Sequence, residues 1–173
     1  FRQALQSGDA GVMAIAAEAL RFPQRNFGQY FPQVGFLDTV LTSLKLPRDL
    51  ETYGEVQKTR SFLKGEAEPT ALKTDPKNHP INWEILASLR ERPVAIINTS
   101  KGTIRIQLLP EVAPGAVAMF VAQARKGYYN GKSFHRVVPN FVAQGGCPRG
   151  DGSGSLDFTL RTEVPAPMRY DHE

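Results

Sequence analysis

Residues 134–146 hold the side chains with the clearest chemical potential, in the order FHRVVPNFVAQGG. Arg136 carries a permanent cation whose planar fork of donors is rigid. Phe141 and Val142 supply an apolar wall beside it, and the amide of Gln144 can both donate and accept hydrogen bonds. Such a set can hold an uncharged ligand and stabilise a polarised state electrostatically.

The residues beside this set are expected to pack against it or to form a turn, and not to add further chemistry. His135 invites a general-base role, which we do not assign, because its neighbour Arg136 faces the other side of a strand. A packed histidine bonded to backbone is the favoured interpretation. Gly145 and Gly146 open a Gly-rich stretch that lacks a Gly-Lys-Ser/Thr ending and does not lead into a helix. We therefore predict a loop beside the site and not a phosphate cradle.

Strands and one helix must position these side chains. After Pro93 the apolar period is two, which predicts a β-hairpin with a turn at 100–102. A helix is predicted from Pro114 to the Lys126-Gly127 stop. Three further strands are predicted over residues 134–138, 141–144 and 156–162.

The first 65 residues instead predict helices. Ser7-Gly8-Asp9 offers a cap for an Ala-rich helix that ends near Phe22, and a second helix spans residues 36–44. Pro47 suits the first turn of a third helix, which ends at Gly65. Residues 7–22 resemble the second helix of a HEAT-type repeat. The alternative is a small helical bundle without repeat ancestry.

Three regions follow from these patterns. They are a helical segment at 1–65, a proline-rich linker with a short docking helix at 66–92, and the strand-forming region at 93–173. Trp83, the only tryptophan, is predicted to anchor the docking helix in its packing.

The strand-forming region resembles the cyclophilins, the barrel-shaped peptidyl-prolyl cis-trans isomerases. Residues 134–146 match their signature, and the segments 99–102, 111–114 and 127–132 have close counterparts in that family. The resemblance runs from about Pro93 to the last residue. It implies an incomplete antiparallel β-barrel of the cyclophilin type. Together with the HEAT-like helical segment before it, the chain is expected to be α+β.

The resemblance also implies a reaction. Rotation about the bond before proline breaks amide resonance and needs no nucleophile, metal or cofactor, only a site that favours the twisted amide. The resemblance implies three catalytic residues. Arg136 would bond to the nitrogen of the twisted prolyl amide, Phe141 would hold the proline ring, and Gln144 would bond to the substrate backbone. It implies substrate binding by the flanking residues His135, Val142, Gly145 and Gly146.

Two positions depart from the family pattern. Cyclophilins commonly have Met where this chain has Val142, so the floor of the pocket differs in shape. Many have Asp where this chain has Cys147. That thiol is either buried and inert or a redox-sensitive point near the groove.

Only 27 residues follow Gly146, which is fewer than a cyclophilin barrel needs. The residues that form the other wall of the proline pocket in that family lie beyond this length. We therefore expect unpaired strand edges and a partner that supplies the rest. This partner is a separate fragment left by nicking, a second copy that exchanges strands, or neighbouring molecules in a crystal.

Composition narrows the partners further. The net charge is +4, with no basic cluster and no apolar run of membrane-spanning length, which disfavours nucleic acid and a membrane span. The single cysteine excludes an intramolecular disulfide and leaves the compartment undecided, bacterial cytoplasm or periplasm. The expected partners are proline-containing polypeptide clients.

Three functions remain open from the sequence. The first is a peptidyl-prolyl isomerase that assists protein folding. The second is a groove that binds proline-containing peptides without turnover, and the third is a scaffold in which the helical segment is the functional part. For a chain with half of the pocket, binding or inactivity is expected over turnover.

Overall fold

The computed structural model describes residues 1–70, 72 and 79–163. These residues contain both helices and strands. In chain order the elements are α1 (Arg2–Leu5), α2 (Ala10–Leu20), α3 (Phe36–Ser43), α4 (Leu50–Lys64), α5 (Trp83–Ala87), β1 (Val94–Thr99), β2 (Gly102–Gln107), α6 (Pro114–Arg125), β3 (Phe134–Val138) and β4 (Val142–Gly145), with 3-10 turns at Pro23–Arg25 and Phe27–Tyr30.

Contacts group the chain into two compact units. One combines Phe1–Thr74 with Lys132–Thr159, and the other combines Asp75–Gly131 with Leu160–Glu173. The first unit therefore holds α1–α4 together with the β3–β4 hairpin, and the second holds α5, β1–β2 and α6. The region boundaries at 65 and 92 stay predictions.

The helical core of the first unit forms as its apolar spacing predicts. Asp9 caps α2, accepting a hydrogen bond from the backbone N–H of Val12 at 3.1 Å, and Gly65 ends α4 with a positive φ of 68°. The buried core consists of Leu5, Met13, Ala16, Ala17, Leu20, Leu37, Val40 and Val56. Whether these helices belong to a HEAT-type repeat stays a prediction.

One helix start was predicted wrongly. Pro47 was expected in the first turn, but α4 begins at Leu50. The carboxylate of Asp49 accepts hydrogen bonds from the backbone N–H of Lys45 at 2.8 Å and from the guanidinium of Arg48. These bonds fold residues 45–49 into a turn, so the helix starts after them.

The strands form two separate antiparallel sheets, β1–β2 and β3–β4. No closed barrel exists among the described residues. The strand predicted over residues 156–162 is wrong, because the structure assigns no strand there. Among the described residues, the strands of each hairpin pair with each other, β1 with β2 and β3 with β4.

The second unit corrects the role of Trp83. The short helix α5 is capped by Asn82, whose side chain accepts from the N–H of Ile85 at 3.0 Å. Trp83 on this helix is 65% exposed, so it does not anchor the helix in a core as expected. A five-residue helix is too short to bury every apolar side chain it carries.

Glu163 caps the N-terminus of α6 from a distant part of the chain. Its carboxylate accepts hydrogen bonds from the backbone N–H groups of Gly115 and Ala116, both at 2.9 Å. Both donors lack partners within the helix, and a negative charge suits this end of its dipole.

Removing this carboxylate is expected to destabilise the second unit. Glu163→Ala should lower the free energy of unfolding by about 1 kcal/mol, as the loss of a helix N-cap does. Denaturant unfolding would measure it, with the exposed Glu91→Ala as the matched control. An equal effect of both variants would contradict a capping role for Glu163.

Candidate active site

The predicted site residues lie on the hairpin of β3 and β4. The strands are joined by a tight turn in which Asn140 has a positive φ of 57°. Val138 pairs with Val142, and Arg136 pairs with Gln144. Residues that pair directly across antiparallel strands lie on the same face, so these four side chains share one face of the hairpin.

A β-bulge lies at His135, beyond the regular part of the ladder. Phe134 pairs with Gly145 and Arg136 with Gln144, so two steps on β3 match one step on β4. His135 is the additional residue. The pairs from Val138–Val142 to Arg136–Gln144 run without interruption from the turn, so the turn places the cation opposite the amide. The bulge comes directly before Arg136 on β3, on the side away from the turn.

The geometry brings the three candidate catalytic residues together. Nη1 of Arg136 donates a hydrogen bond to Oε1 of Gln144 at 2.9 Å. The guanidinium carbon of Arg136 lies 5.9 Å from the centre of the Phe141 ring, within the range of a cation–π contact. The amide and the ring thus hold the long arginine side chain from two directions.

This group is open to solvent. Arg136 and Gln144 are exposed, and the Phe141 side chain is 76% exposed. The Oε1 atom of Gln144 is used by Arg136, so its amide nitrogen remains as the group that can donate to a ligand. The hairpin presents an exposed face with a cation, an aromatic ring and an amide donor.

The other candidate residues frame this face. Val142 is half-buried and precedes Gln144 by two positions on the same strand face. Gly145 lies against Phe134, because a Cβ on Gly145 would be 3.0 Å from the Phe134 ring. Gly146 has a positive φ of 85°, which favours glycine where the chain leaves the strand. Ligand binding by these residues stays a prediction.

His135 differs from its expected state. Its Nδ1 atom is buried and has no hydrogen-bond partner among the described residues, whereas a bond to backbone was expected. The ring packs against the following loop, because a Cβ on Gly152 would lie 3.2 Å from its Cδ2 and Nε2 atoms. The bulge explains the difference, because it takes His135 out of the regular ladder that the expectation assumed.

Cys147 follows the hairpin in a loop of backbone donors. The thiol is buried, and its sulfur accepts a hydrogen bond from the N–H of Gly154 at 3.3 Å. Burial alone would raise the pKa of the thiol. Backbone N–H groups, Gly154 first and then Asp151, outweigh burial and hold the pKa of Cys147 below its usual value.

This environment should be visible in a titration. We expect the thiolate of Cys147 to form at a lower pH in the folded protein than in the denatured one. Absorbance at 240 nm against pH, with Cys147→Ala subtracted, measures it. A folded-state midpoint at or above the denatured one would contradict the stabilising role of the backbone donors.

Two further kinds of site are not found in the described part of the chain. No group of three or more His, Cys, Asp and Glu side chains there could hold a metal ion. No helix among the described residues is long and apolar enough to span a membrane.

Sequence comparison finds a family match within the strand-forming region. Residues 94–169 match the family model of the cyclophilin type peptidyl-prolyl cis-trans isomerase/CLD. This range includes both hairpins, α6 and every candidate site residue. The chain therefore contains a cyclophilin-type segment, and the expected resemblance is confirmed for this part.

Individual relatives agree with this assignment. A peptidyl-prolyl cis-trans isomerase of Synechococcus elongatus is 47% identical over 70 residues, which are 40% of this chain and 48% of the relative. One of Helicobacter pylori strain J99 is 46% identical over 88 residues, 51% of this chain and 52% of the relative. Peptidyl-prolyl cis-trans isomerase B of Bacillus subtilis is 52% identical over 61 residues, 35% of this chain and 43% of the relative.

The chain spans about half the length of these curated relatives. No solved structure matches the chain significantly.

Proposed function

We propose that the protein is a peptidyl-prolyl cis-trans isomerase that acts on Xaa-Pro bonds of polypeptide clients. The observation that supports it most is the Arg136–Gln144 hydrogen bond of 2.9 Å beside the exposed ring of Phe141, within a cyclophilin-type segment. The names of its relatives agree with this activity.

The proposed mechanism lowers the barrier by favouring the twisted amide. Rotation about the prolyl bond costs about 18–20 kcal/mol, because it breaks amide resonance. In the twisted state the prolyl nitrogen regains a lone pair, and a guanidinium N–H of Arg136 donates to it. Nη1 of Arg136 is held by Gln144, while other N–H groups of the fork point elsewhere and can meet the substrate.

Phe141 and Gln144 hold the substrate during this rotation. The proline ring packs on the exposed Phe141 ring, which fixes it without competing for hydrogen bonds. The amide nitrogen of Gln144 donates to a backbone carbonyl of the client. No proton is transferred and no bond is made or broken, so the reaction uses neither a general base nor a cofactor.

A second candidate function is binding of proline-containing peptides without turnover. The 76% exposure of Phe141 favours it, since an open face excludes little water from the reacting amide. Binding needs the apolar ring and the amide, whereas catalysis also needs the cation.

A protease-free isomerisation assay on the full-length protein separates the two functions. Isomerase function predicts that substoichiometric protein accelerates cis-trans exchange of an Xaa-Pro peptide. Peptide binding without any acceleration would contradict isomerase function and support peptide binding without turnover.

We also propose a polypeptide partner for the exposed apolar side chains of both hairpins. Outward-facing apolar residues of this kind usually lie under a complementary element. They are Val94, Ile96, Ile104, Ile106, Phe134 and Val137. A separate fragment or a second copy would meet this need, and intact-mass measurement under native conditions distinguishes them. A single species of 19.1 kDa would contradict both.

A further inference from the structure

The helical segment and the loop after β4 touch within the first compact unit. The N-terminal turn of α2 lies directly against the loop, because a Cβ on Gly11 would be 2.6 Å from both Cβ and Oγ of Ser153. Real Cβ contacts are essentially never this short, so glycine is required for the approach. Rotation of the Ser153 hydroxyl would not relieve the collision, because a Cβ on Gly11 would still lie too close to the Cβ of Ser153.

An ion pair joins the same two parts. Nη1 of Arg149 donates to Oδ1 of Asp9 at 2.9 Å, across 140 positions of the sequence. The hydrogen bond from Arg149 is the main reason why the pKa of Asp9 lies below its usual value. Arg149 also pairs with Asp151 inside the loop at 2.8 Å. The guanidinium therefore connects the cap of α2 to the loop.

The loop in turn supports the candidate active site. Gly152, next to Ser153, closes on the ring of His135, where a Cβ would lie 3.2 Å from two ring atoms. His135 is the bulged residue and directly precedes Arg136 on β3. A displacement of the loop at Ser153 therefore reaches the residue whose backbone leads into the cation.

We propose that the helical segment is a positioning element for the isomerase hairpin, acting through the loop of residues 147–155. Gly11 and Asp9 are its positioning residues. Neither touches the hairpin face that would meet a substrate. They hold the loop, the loop packs against His135 at Gly152, and His135 is joined directly to Arg136. The inference rests on the proposed isomerase function.

The contact is limited enough for single substitutions to disturb it. Asp9 and Arg149 are partly exposed, and an ion pair of this kind contributes little alone. Beside it lies a cleft of about 690 Å³ between the loop and the starts of α2 and α4. The close approach at Gly11 and the ion pair together join the loop to the start of α2.

Gly11→Ala tests the proposal, with Gly54→Ala as its matched control. Both glycines are helical and half-buried, and both changes raise helix propensity, but a Cβ on Gly54 meets nothing within 4 Å. Two readouts are taken on the full-length protein. The alkylation rate of Cys147 reports opening of the loop, and kcat and KM for an Xaa-Pro peptide report the site.

For Gly11→Ala we expect faster alkylation of Cys147 and a kcat lower by about tenfold, with KM changed less than twofold, because misplacement of a catalytic group affects the transition state. Gly54→Ala should match the parent protein in both readouts. Ser153→Gly added to Gly11→Ala removes the colliding atoms and should restore both.

A second variant keeps the test valid if Gly11→Ala does not fold. Asp9→Asn retains a good helix cap but loses the charge that holds Arg149, so it should raise the alkylation rate about two- to threefold with a smaller fall in kcat.

Unchanged kcat in Gly11→Ala, or in Asp9→Asn where the first does not fold, would overturn the positioning role. So would a fall in kcat that Ser153→Gly fails to restore. Arg136→Ala, run in parallel, reports on the proposed function itself. Full activity of Arg136→Ala would contradict the isomerase mechanism. Loss of activity in Arg136→Ala together with an unchanged kcat in Gly11→Ala would contradict only the positioning role.

Discussion

Replacing Arg136 by alanine is expected to lower kcat/KM for an Xaa-Pro peptide by about 100- to 1000-fold, as removal of a single transition-state donor does in other enzymes. The guanidinium is the only cation on the hairpin face that the structure describes, and Gln144 and Phe141 fix its position. The loss should fall on kcat, because the prolyl nitrogen accepts a hydrogen bond only when the amide is twisted.

Arg136→Lys distinguishes charge from geometry. Lysine keeps the charge but lacks the planar fork that can bond Gln144 and the substrate together, so we expect most of the activity to be lost. Arg105→Ala, an exposed arginine on β2, is the control for loss of a strand arginine. Activity of Arg136→Lys near the parent level would contradict the proposed role of the donor fork.

The second large effect is expected in the helical core. Thr59 is fully buried on α4, and its hydroxyl donates to the carbonyl oxygen of Ala17 and accepts from Nη1 of Arg21, each at 2.7 Å. Thr59→Val keeps the shape and removes both bonds, leaving polar atoms of α2 with fewer partners. It should lower the free energy of unfolding by about 1–3 kcal/mol.

Thr39→Val is the matched control for this variant. Thr39 is an exposed threonine on α3, so the same substitution there removes no buried bond. Denaturant unfolding compares the two variants. Equal stability of Thr59→Val and Thr39→Val would contradict the contribution of the network between α2 and α4.

The same network makes the stability depend on pH. Burial would raise the pKa of Glu55, but hydrogen bonds from Arg21 and Lys58 outweigh it and hold the pKa below the value in the unfolded chain. The contribution of Glu55 is therefore complete above its unfolded pKa, near 4.5, and is lost as the pH falls through the folded value.

Unfolding measured between pH 3 and 7 should then show a smaller loss of stability in acid for Glu55→Gln than for the parent chain. The exposed Glu51→Gln serves as the control. Identical acid profiles for Glu55→Gln and the parent would contradict the pKa shift.

Local patterns predicted much of the fold because they depend on short-range physics. The cap at Asp9, the stop at Gly65 and both hairpins form where turn chemistry and apolar period indicated. Cross-strand geometry did not follow from the sequence. The bulge at His135 depends on how β3 and β4 align, and no residue within the strand marks it.

Long-range contacts were the other missing part. The approach of Ser153 to Gly11 and the bond between Asp9 and Arg149 join residues some 140 positions apart, and nothing local indicates them. Residues 156–162 have strand-like composition but form no strand in the structure, so composition alone misled the prediction. The candidate site was predicted by residue type and the family resemblance, while its supporting contacts needed the structure.

Exchange spectroscopy by NMR tests the isomerase proposal most directly. An Xaa-Pro peptide is mixed with substoichiometric full-length protein, and cis-trans exchange and peptide binding are measured in the same sample for the parent and for Arg136→Lys. We predict rapid exchange with the parent, and binding without rapid exchange with Arg136→Lys. Binding by the parent with exchange no faster than in free peptide would contradict the proposal.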